Sequence, residues 1–298
     1  MDQQGLPIST AEIEYAENFL AAGDIATALP YLLELTDAVE EYAAEACQAT
    51  DSRQYFSFAD DFERLAYRRI ERDPRVIVQI EVPFDRLYAD LAYAYVQEEE
   101  FALARDALMQ AVRWNPMECT HRLDLAELYR VLGDEREWAA LSLSVVERAS
   151  DARSLGLAYA NLGVLFLNEE DLPAARGCLV LAERYAPGEA RVERLKAQLA
   201  QAEAAAGAEP PSERAALKAL GAQGVPTGPV ADIAVCLLSC ASDSARAGDV
   251  DAATNLTVRA RDLIGQEACT ALIKLIHESD AELADEARGK GKPGAARG

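Results

Sequence analysis

Two stretches of this sequence carry the same arrangement of small, aromatic, acidic and proline residues. They read LAYAYVQEEEFALARDALMQAVRWNP at residues 91–116 and LGVLFLNEEDLPAARGCLVLAERYAP at residues 162–187. The two stretches align without a gap at a separation of 71 positions (162 minus 91). Between them Leu125, Ala126 and Tyr129 repeat the start of the pattern, 34 positions after residue 91. A period of this length indicates stacked pairs of amphipathic helices.

The residue spacing within one unit predicts two helices joined by a tight turn. Leu91 and Tyr95 fall on one face of a first helix, and Ala104 and Leu108 on one face of a second, by the three-to-four-residue rule. Pro116 has no N–H to donate, so it should end the second helix. We therefore predict helix pairs at residues 86–98 and 100–114, 119–132 and 135–149, and 156–168 and 171–185.

These positions resemble the tetratricopeptide repeat family. Its pattern of an aromatic residue, Leu with a small residue, a second aromatic residue, Ala followed by Leu, and Pro is met twice. The matching residues are Tyr88, Leu91, Ala92, Tyr95, Ala104, Leu108 and Pro116, and then Tyr159, Leu162, Gly163, Phe166, Ala175, Leu179 and Pro187. The resemblance implies an all-α fold, namely an α–α superhelix that is a solenoid of helix–turn–helix repeats.

The resemblance also implies that the first helices line a concave groove for a peptide or a partner helix. Family members that bind the C-terminal carboxylate of chaperones use Lys, Asn and Arg at positions that read Ala89, Tyr93, Asp124, Leu157 and Asn161 here. We therefore do not expect a chaperone tail, and we expect a protein or peptide partner of mixed polar or basic character. The groove positions that the resemblance implies are Arg86, Asp90, Tyr93, Gln97, Leu123, Asp124, Glu127, Arg130, Asn161, Val164 and Asn168.

Outside the repeats the chain divides by composition. Residues 15–35 and 240–260 keep small residues around a Gly-Asp turn and read as diverged repeat units. Gly and Pro are dense after residue 204, which indicates a linker. The predicted regions are an N-terminal helical region (1–83), the core array of three repeats plus an extension helix (84–203), the linker (204–230), a C-terminal capping unit (231–288) and a disordered basic tail (289–298).

Residues 51–82 do not follow the repeat. The sequence DSRQYFSFADDFERLAYRRIERDP at residues 51–74 has a helical pattern that ends at Asp73 and Pro74. The next residues, RVIVQIEVP, alternate and are rich in β-branched side chains, as in a strand. Because a lone strand has no partner, we favour an extended connector over a strand here.

Composition excludes several classes of function. The chain of 298 residues carries 29 Lys and Arg against 51 Asp and Glu, a formal charge of −22. This field repels phosphate backbones and anionic lipids, so we expect neither nucleic acid nor a membrane as a partner. The longest apolar-rich passage is about twelve residues, short of the roughly 18 to 20 that cross a bilayer. Six scattered cysteines and the absence of a signal sequence predict a soluble, cytoplasmic protein with reduced thiols.

No motif of known catalytic chemistry is present. The sequence lacks a G-x-S-x-G elbow, a phosphate-binding loop and an H-E-x-x-H pair. Cys236, Cys240, Cys269 and His277 could supply four zinc ligands, but their spacing fits no zinc knuckle, and buried cysteines are the simpler interpretation. We expect a non-enzymatic adaptor without a cofactor; the alternatives are a self-associating scaffold and a regulatory subunit of an enzyme complex.

Overall fold

The protein is described by a computed structural model over residues 5–207 and 209–290, with side chains as far as residue 279. This part of the chain contains fourteen α-helices and two short β-strands, so the all-α prediction is confirmed. None of these helices is both long enough and apolar enough to cross a membrane. Of the tail predicted at residues 289–298, all but the first two positions lie outside the described residues.

The helices follow one another in hairpins that pack on their neighbours along the chain. In chain order the elements are α1 (Thr10–Ala21), α2 (Ile25–Ala46), β1 (Arg53–Phe56), α3 (Asp61–Glu71), β2 (Val76–Gln79), α4 (Phe84–Gln97), α5 (Phe101–Trp114), α6 (Cys119–Leu132), α7 (Glu135–Val146), α8 (Ala152–Asn168), α9 (Leu172–Tyr185), α10 (Ala190–Ala206), α11 (Glu213–Ala222), α12 (Ala231–Ala247), α13 (Val250–Ile264) and α14 (Gln266–Lys290).

The three predicted helix pairs are present as α4 and α5, α6 and α7, and α8 and α9. The second helices α5 and α9 each end two residues before Pro116 or Pro187, because the residue before a proline disfavours the helical conformation. The largest difference is at α8, which begins four residues before the predicted start at 156. Asp151 explains this earlier start, since its carboxylate accepts a hydrogen bond from the Ser154 N–H at 2.8 Å and caps the helix.

Five of the hairpins share one turn conformation. The residue with positive φ is Gly23, Glu99, Gly133, Glu170 or Gly248, with φ between 61° and 85°. The turn occurs in α1–α2, α4–α5, α6–α7, α8–α9 and α12–α13, so it extends beyond the three clear sequence repeats. In each turn the residue after the one with positive φ donates its backbone N–H to the carbonyl of the residue five positions before it, at 2.8–2.9 Å. The pairs are Asp24 to Phe19, Glu100 to Tyr95, Asp134 to Tyr129, Asp171 to Phe166 and Asp249 to Ser244.

Introducing Gly and Asp, as at the equivalent positions of other turns, should stabilise the α4–α5 turn. Glu99 adopts φ 61°, which costs a non-glycine residue about 1–2 kcal/mol. Glu100 forms no side-chain cap, whereas the carboxylate of Asp134 accepts from the Glu137 N–H at 3.1 Å. Replacing both residues, Glu99→Gly with Glu100→Asp, should therefore raise the free energy of unfolding by about 2 kcal/mol in urea denaturation. Equal stability in this variant and in the control Glu98→Gly, where φ is already −88°, would refute the argument.

A two-stranded parallel sheet interrupts the helical hairpins. β1 pairs with β2 in the register Arg53 to Val76 through Phe56 to Gln79, and α3 connects the two strands. The expectation of an extended connector at residues 75–83 is wrong, because residues 76–79 form β2. The segment 51–74, whose pattern predicts helix, contains β1 as well as α3. Parallel strands need a crossover connection, and α3 supplies it, so each strand finds its partner across a helix rather than across a hairpin turn.

The described residues form two hydrophobic cores. The first core is formed by α1, α2, α4 and α5 with one side of α6, and it contains the fully buried Phe84 and Trp114. The second core is formed by α3 and the helices from α6 onward, and it contains Phe62 and Tyr159. Because α6 contributes to both, the two cores meet along that helix.

The C-terminal helices fold back onto the middle of the chain. α12 packs on α3, where Arg69 Nε donates to Asp232 Oδ1 at 3.1 Å. The guanidinium of Arg259 on α13 lies 4.9 Å above the Phe62 ring and donates through Nε to the Ser150 carbonyl at 3.2 Å. The predicted capping unit is thus in direct contact with elements about 110 to 200 residues earlier in the chain.

The segment predicted as a linker contains α11, which packs on α9. A Cβ atom on Gly177 would lie 2.6 Å from the Ala216 carbonyl oxygen, so only glycine allows these two helices to approach so closely. Beyond α11, the Pro226 carbonyl accepts a hydrogen bond from the Tyr159 hydroxyl at 2.8 Å. These contacts hold the segment against α8 and α9.

Candidate functional site

A groove lies between the first helices α6 and α8 and the beginning of α10, with a volume of about 440 Å³. Its floor includes the apolar side chains of Leu157 and Val164. Four arginines and two glutamates line it, so its local charge is opposite in sign to that of the whole chain. We call this the arginine groove; its charged members are Glu127, Arg130, Arg153, Glu189, Arg191 and Arg194.

Four of the predicted groove residues line the arginine groove: Glu127, Arg130, Asn161 and Val164. Glu127 and Arg130 are one turn apart on α6, and Asn161 and Val164 are one turn apart on α8. The repeat spacing thus brings residues from two units to one surface. The third wall is α10, which the repeat pattern did not include among the groove helices.

Asn161 is buried and held from two sides. Its Nδ2 donates to Ser142 Oγ on α7 at 3.1 Å, and its Oδ1 accepts from Arg191 Nη1 on α10 at 2.9 Å. The second contact orients a guanidinium at the groove wall. Asn161 therefore links α7, α8 and α10 at this point.

Glu127 lies among the arginines of the groove. Burial alone would raise the pKa of its carboxyl group, but the Arg130 hydrogen bond and the charges of Arg191, Arg130 and Arg194 hold that pKa below its ordinary value. Arg130 Nε donates to Glu127 Oε1 at 2.9 Å, and Arg191 Nη2 lies 3.7 Å from Glu127 Oε2. The carboxylate stays ionised and positions the guanidinium groups around it.

The predicted residues on α4 lie outside the arginine groove. Arg86 donates through Nε to Glu17 Oε1 on α1 at 3.1 Å, so it joins two first helices. Burial, with the charge of Glu17, raises the pKa of Asp90 to about 7, and its Oδ2 has no hydrogen-bond partner among the described residues. Tyr93 is 49% exposed and Gln97 is exposed at the end of the helix.

The three remaining predicted residues differ in burial. Leu123 is 5% exposed and packs in the second core, so it does not line the groove. Asp124 is exposed on α6. Asn168, exposed at the end of α8, donates to Glu135 Oε1 of α7 at 3.4 Å.

A buried polar network beside α4 was not predicted from the sequence. It consists of five buried residues, Ser57, Glu63, Asp85, Asn115 and His121. Asp85 accepts through Oδ1 from Ser57 Oγ at 3.2 Å and through Oδ2 from Asn115 Nδ2 at 3.2 Å, and His121 Nε2 lies 3.3 Å from the same Oδ2. Asn115 Nδ2 also donates to Glu63 Oε2 at 2.9 Å. These residues come from five separate segments, and no local pattern marks them.

The network perturbs two of its titratable groups. Burial raises the pKa of Glu63 to about 7, against the hydrogen bonds from the Ala59 N–H and Asn115 that lower it. Burial would lower the pKa of His121, but the hydrogen bond and charge of Asp85 raise it overall. The carboxylate lies between the serine and the histidine, which is not the order of a serine–histidine–aspartate triad. The geometry fits a structural junction between β1, α3, α4 and α6.

The cysteines considered as zinc ligands are free thiols. Cys236 and Cys269 are buried in the second core, and Cys240 is half-buried at its edge. Burial raises the pKa of Cys240 to about 11. Within the described residues, no three His, Cys, Asp or Glu side chains are grouped closely enough to hold a metal ion.

Comparisons with known proteins give no family for this chain. No protein-family model matches it, and no curated protein is detectably similar in sequence.

Proposed function

We propose that this chain is a tetratricopeptide-repeat-like solenoid that works as a non-enzymatic adaptor and binds a protein or peptide partner along its first helices. The observation that carries the proposal is the hairpin turn that recurs five times with the same φ and the same hydrogen bond. Repeated hairpins of this kind stack with a constant rotation, and that rotation produces a concave surface.

The exposed side chains on the first helices are suited to binding a partner and are not needed for packing. Tyr93 on α4 and Arg130 on α6 are both exposed, and Val164 on α8 is half-buried. Tyr and Arg often carry binding energy, because a ring offers rigid contact area and a guanidinium a planar set of donors. Exposed residues of these types on neighbouring first helices are what a peptide-binding face requires.

The buried polar network does not favour an enzyme, since its members are hydrogen-bonded to one another and lie at a junction between helices. The six free thiols, five of them buried, support a reducing compartment such as the cytoplasm. Affinity capture from the native host, with crosslinking, tests the proposal most directly. An adaptor is expected to retain one partner reproducibly, with crosslinks to α4, α6 or α8.

The double substitution Tyr93→Ala with Arg130→Ala should separate binding from folding. Tyr93 is half-exposed, and among the described residues Arg130 pairs with Glu127 on its own helix, so neither side chain is required for helix packing. The melting temperature should stay nearly unchanged, while affinity for the crosslinked partner falls at least tenfold, roughly 1.4 kcal/mol. Calorimetric titration and thermal unfolding measure the two quantities on the same samples.

The matched control is Leu103→Ala with Arg105→Ala on the second helix α5. Leu103 is also exposed, and Arg105 pairs with the adjacent Asp106. This variant should bind like the wild type. If the control weakens binding as much as the test variant, or if the test variant melts early, the first helices do not form the binding face.

A further inference from the structure

The charge of the arginine groove contrasts with that of the rest of the chain. The chain has a formal charge of −22, and its first fifty residues include ten carboxylates and no Lys or Arg. Four guanidinium groups and two carboxylates line the groove. A cleft with low-dielectric walls focuses the field of the charges that line it, so the local excess of positive charge should attract anions despite the negative surroundings.

Three of the four arginines are held in place by neighbours. Arg153 Nε donates to Glu189 Oε1 at 2.6 Å, and Arg191 Nη1 donates to the buried Asn161 at 2.9 Å. Arg130 is fixed by Glu127. A guanidinium has five N–H donors, and these contacts use only some of them. The remaining donors are positioned in advance for a ligand, which lowers the entropy lost on binding.

Arg194 is the fourth arginine, and it forms no hydrogen bond or ion pair with any residue in the described part of the chain. It is exposed on α10, one turn after Arg191. The beginning of the same helix lies at the groove, and its N-cap residue Glu189 makes no side-chain cap. The first N–H groups of α10 thus add a partial positive charge at the same place.

We propose that the arginine groove binds an acidic peptide segment of a partner protein. Carboxylates of the peptide pair with Arg153, Arg191 and Arg194, because a guanidinium matches a carboxylate with two parallel hydrogen bonds. An apolar side chain between those carboxylates packs on Leu157 and Val164 at the groove floor. This inference rests on the proposed function and replaces the expected basic partner with an acidic one.

The observations favour a carboxylate-bearing peptide over a nucleic acid. The groove spans only three helices, and the large negative charge around it repels a long phosphate backbone. The apolar floor offers a contact for Leu-like or Phe-like side chains, which a phosphodiester chain lacks. A short peptide that alternates acidic and apolar residues satisfies both parts of the surface.

The test uses an array of short synthetic peptides in which Glu and Asp are interspersed with Leu, Ile and Phe. Matched arrays carry Lys or phosphoserine in place of the acids, and a single-stranded RNA oligonucleotide is a further probe. The full chain should retain acidic peptides in preference to the others, and fluorescence anisotropy should show weaker binding at higher salt. The double substitution Arg153→Glu with Arg194→Glu should lower the affinity for the retained peptides at least tenfold.

The control is Arg214→Glu with Lys218→Glu, which makes the same change in net charge on exposed positions of α11. Its binding should equal that of the wild type. Preference for basic peptides, phosphoserine or RNA overturns the inference, as do the absence of peptide binding and unchanged affinity in the groove variant. If the native partner is still captured and binds the groove variant as tightly as the wild type, only the acidic-peptide inference fails. If no partner is captured reproducibly, the proposed function fails.

Discussion

Replacing Asp85 by alanine should lower the free energy of unfolding by about 3–5 kcal/mol, the range for removing one member of a buried charged network. Asp85 is 4% exposed and accepts hydrogen bonds from Ser57 and Asn115 while it pairs with His121. Alanine would leave these three groups buried without their shared acceptor, at a position where the β1–α3 segment meets α4 and α6. Urea denaturation at neutral pH measures the loss.

Asp106→Ala is the matched control for this prediction. Asp106 is an exposed acid on α5 that forms an ion pair with the adjacent Arg105, and removing an exposed pair costs at most about 0.5–1 kcal/mol. A loss for Asp85→Ala no greater than for Asp106→Ala would mean that the network contributes nothing to stability. Contacts other than the hydrogen bonds to Asp85 would then hold Ser57 and Asn115 in place.

The second large effect is on the pH dependence of stability. Burial raises the pKa of Glu63 to about 7 in the folded protein, so the folded state holds this proton more tightly than the unfolded state, whose ordinary value is 4.5. The stability that this tighter proton binding contributes is fully present below pH 4.5 and is lost as the pH rises through 7. Because one pKa unit corresponds to about 1.4 kcal/mol, the loss attributable to Glu63 by pH 8 is about 3 kcal/mol.

Glu63→Gln should remove this loss. The amide oxygen of Gln can accept the two hydrogen bonds that Glu63 Oε2 receives from the Ala59 N–H and Asn115 Nδ2, without a charge to bury. The wild type should therefore lose about 2–3 kcal/mol more stability than this variant between pH 5 and pH 8. Urea denaturation at several pH values gives both curves. His121, whose pKa is also raised, contributes in the same direction and is present in both proteins.

The control is Asp61→Asn on the same helix, where the acid side chain is 84% exposed. Its curve should run parallel to that of the wild type. Parallel curves for the wild type and Glu63→Gln would contradict the prediction, since they would mean that Glu63 titrates alike in the folded and unfolded chains.

The helix hairpins were predictable because their determinants are local. The apolar spacing, the small residues at the helix contacts and the prolines at 116 and 187 all act within about thirty residues, and the observed helices follow them closely. The Gly-Asp pairs at 23–24 and 248–249 also indicated the terminal hairpins. Glu99 and Glu170 adopt the same turn without glycine, which shows that the packing of the hairpins can impose φ values that these residues disfavour.

The strands were mispredicted because pairing depends on a partner that is not adjacent in sequence. RVIVQIEVP has the composition of a strand, but its partner lies before α3, in a segment whose helical pattern concealed four extended residues. A parallel pair across a helix leaves no hairpin signal. The spacing of Gln54, Phe56 and Phe58 at every second position was the signal in the sequence for a strand.

The chain's own sequence determined the repeated hairpins, the all-α class and the pattern that proposes a binding face, because each depends on periodicity and turn chemistry within one unit. Only the tertiary structure decided which charges meet. Arg191 and Arg194 lie outside the repeats, and they face Glu127 only because α10 packs on α8. Likewise Ser57, Glu63, Asp85, Asn115 and His121 are brought together by helix packing over as many as 52 positions of sequence, and no local rule encodes such contacts.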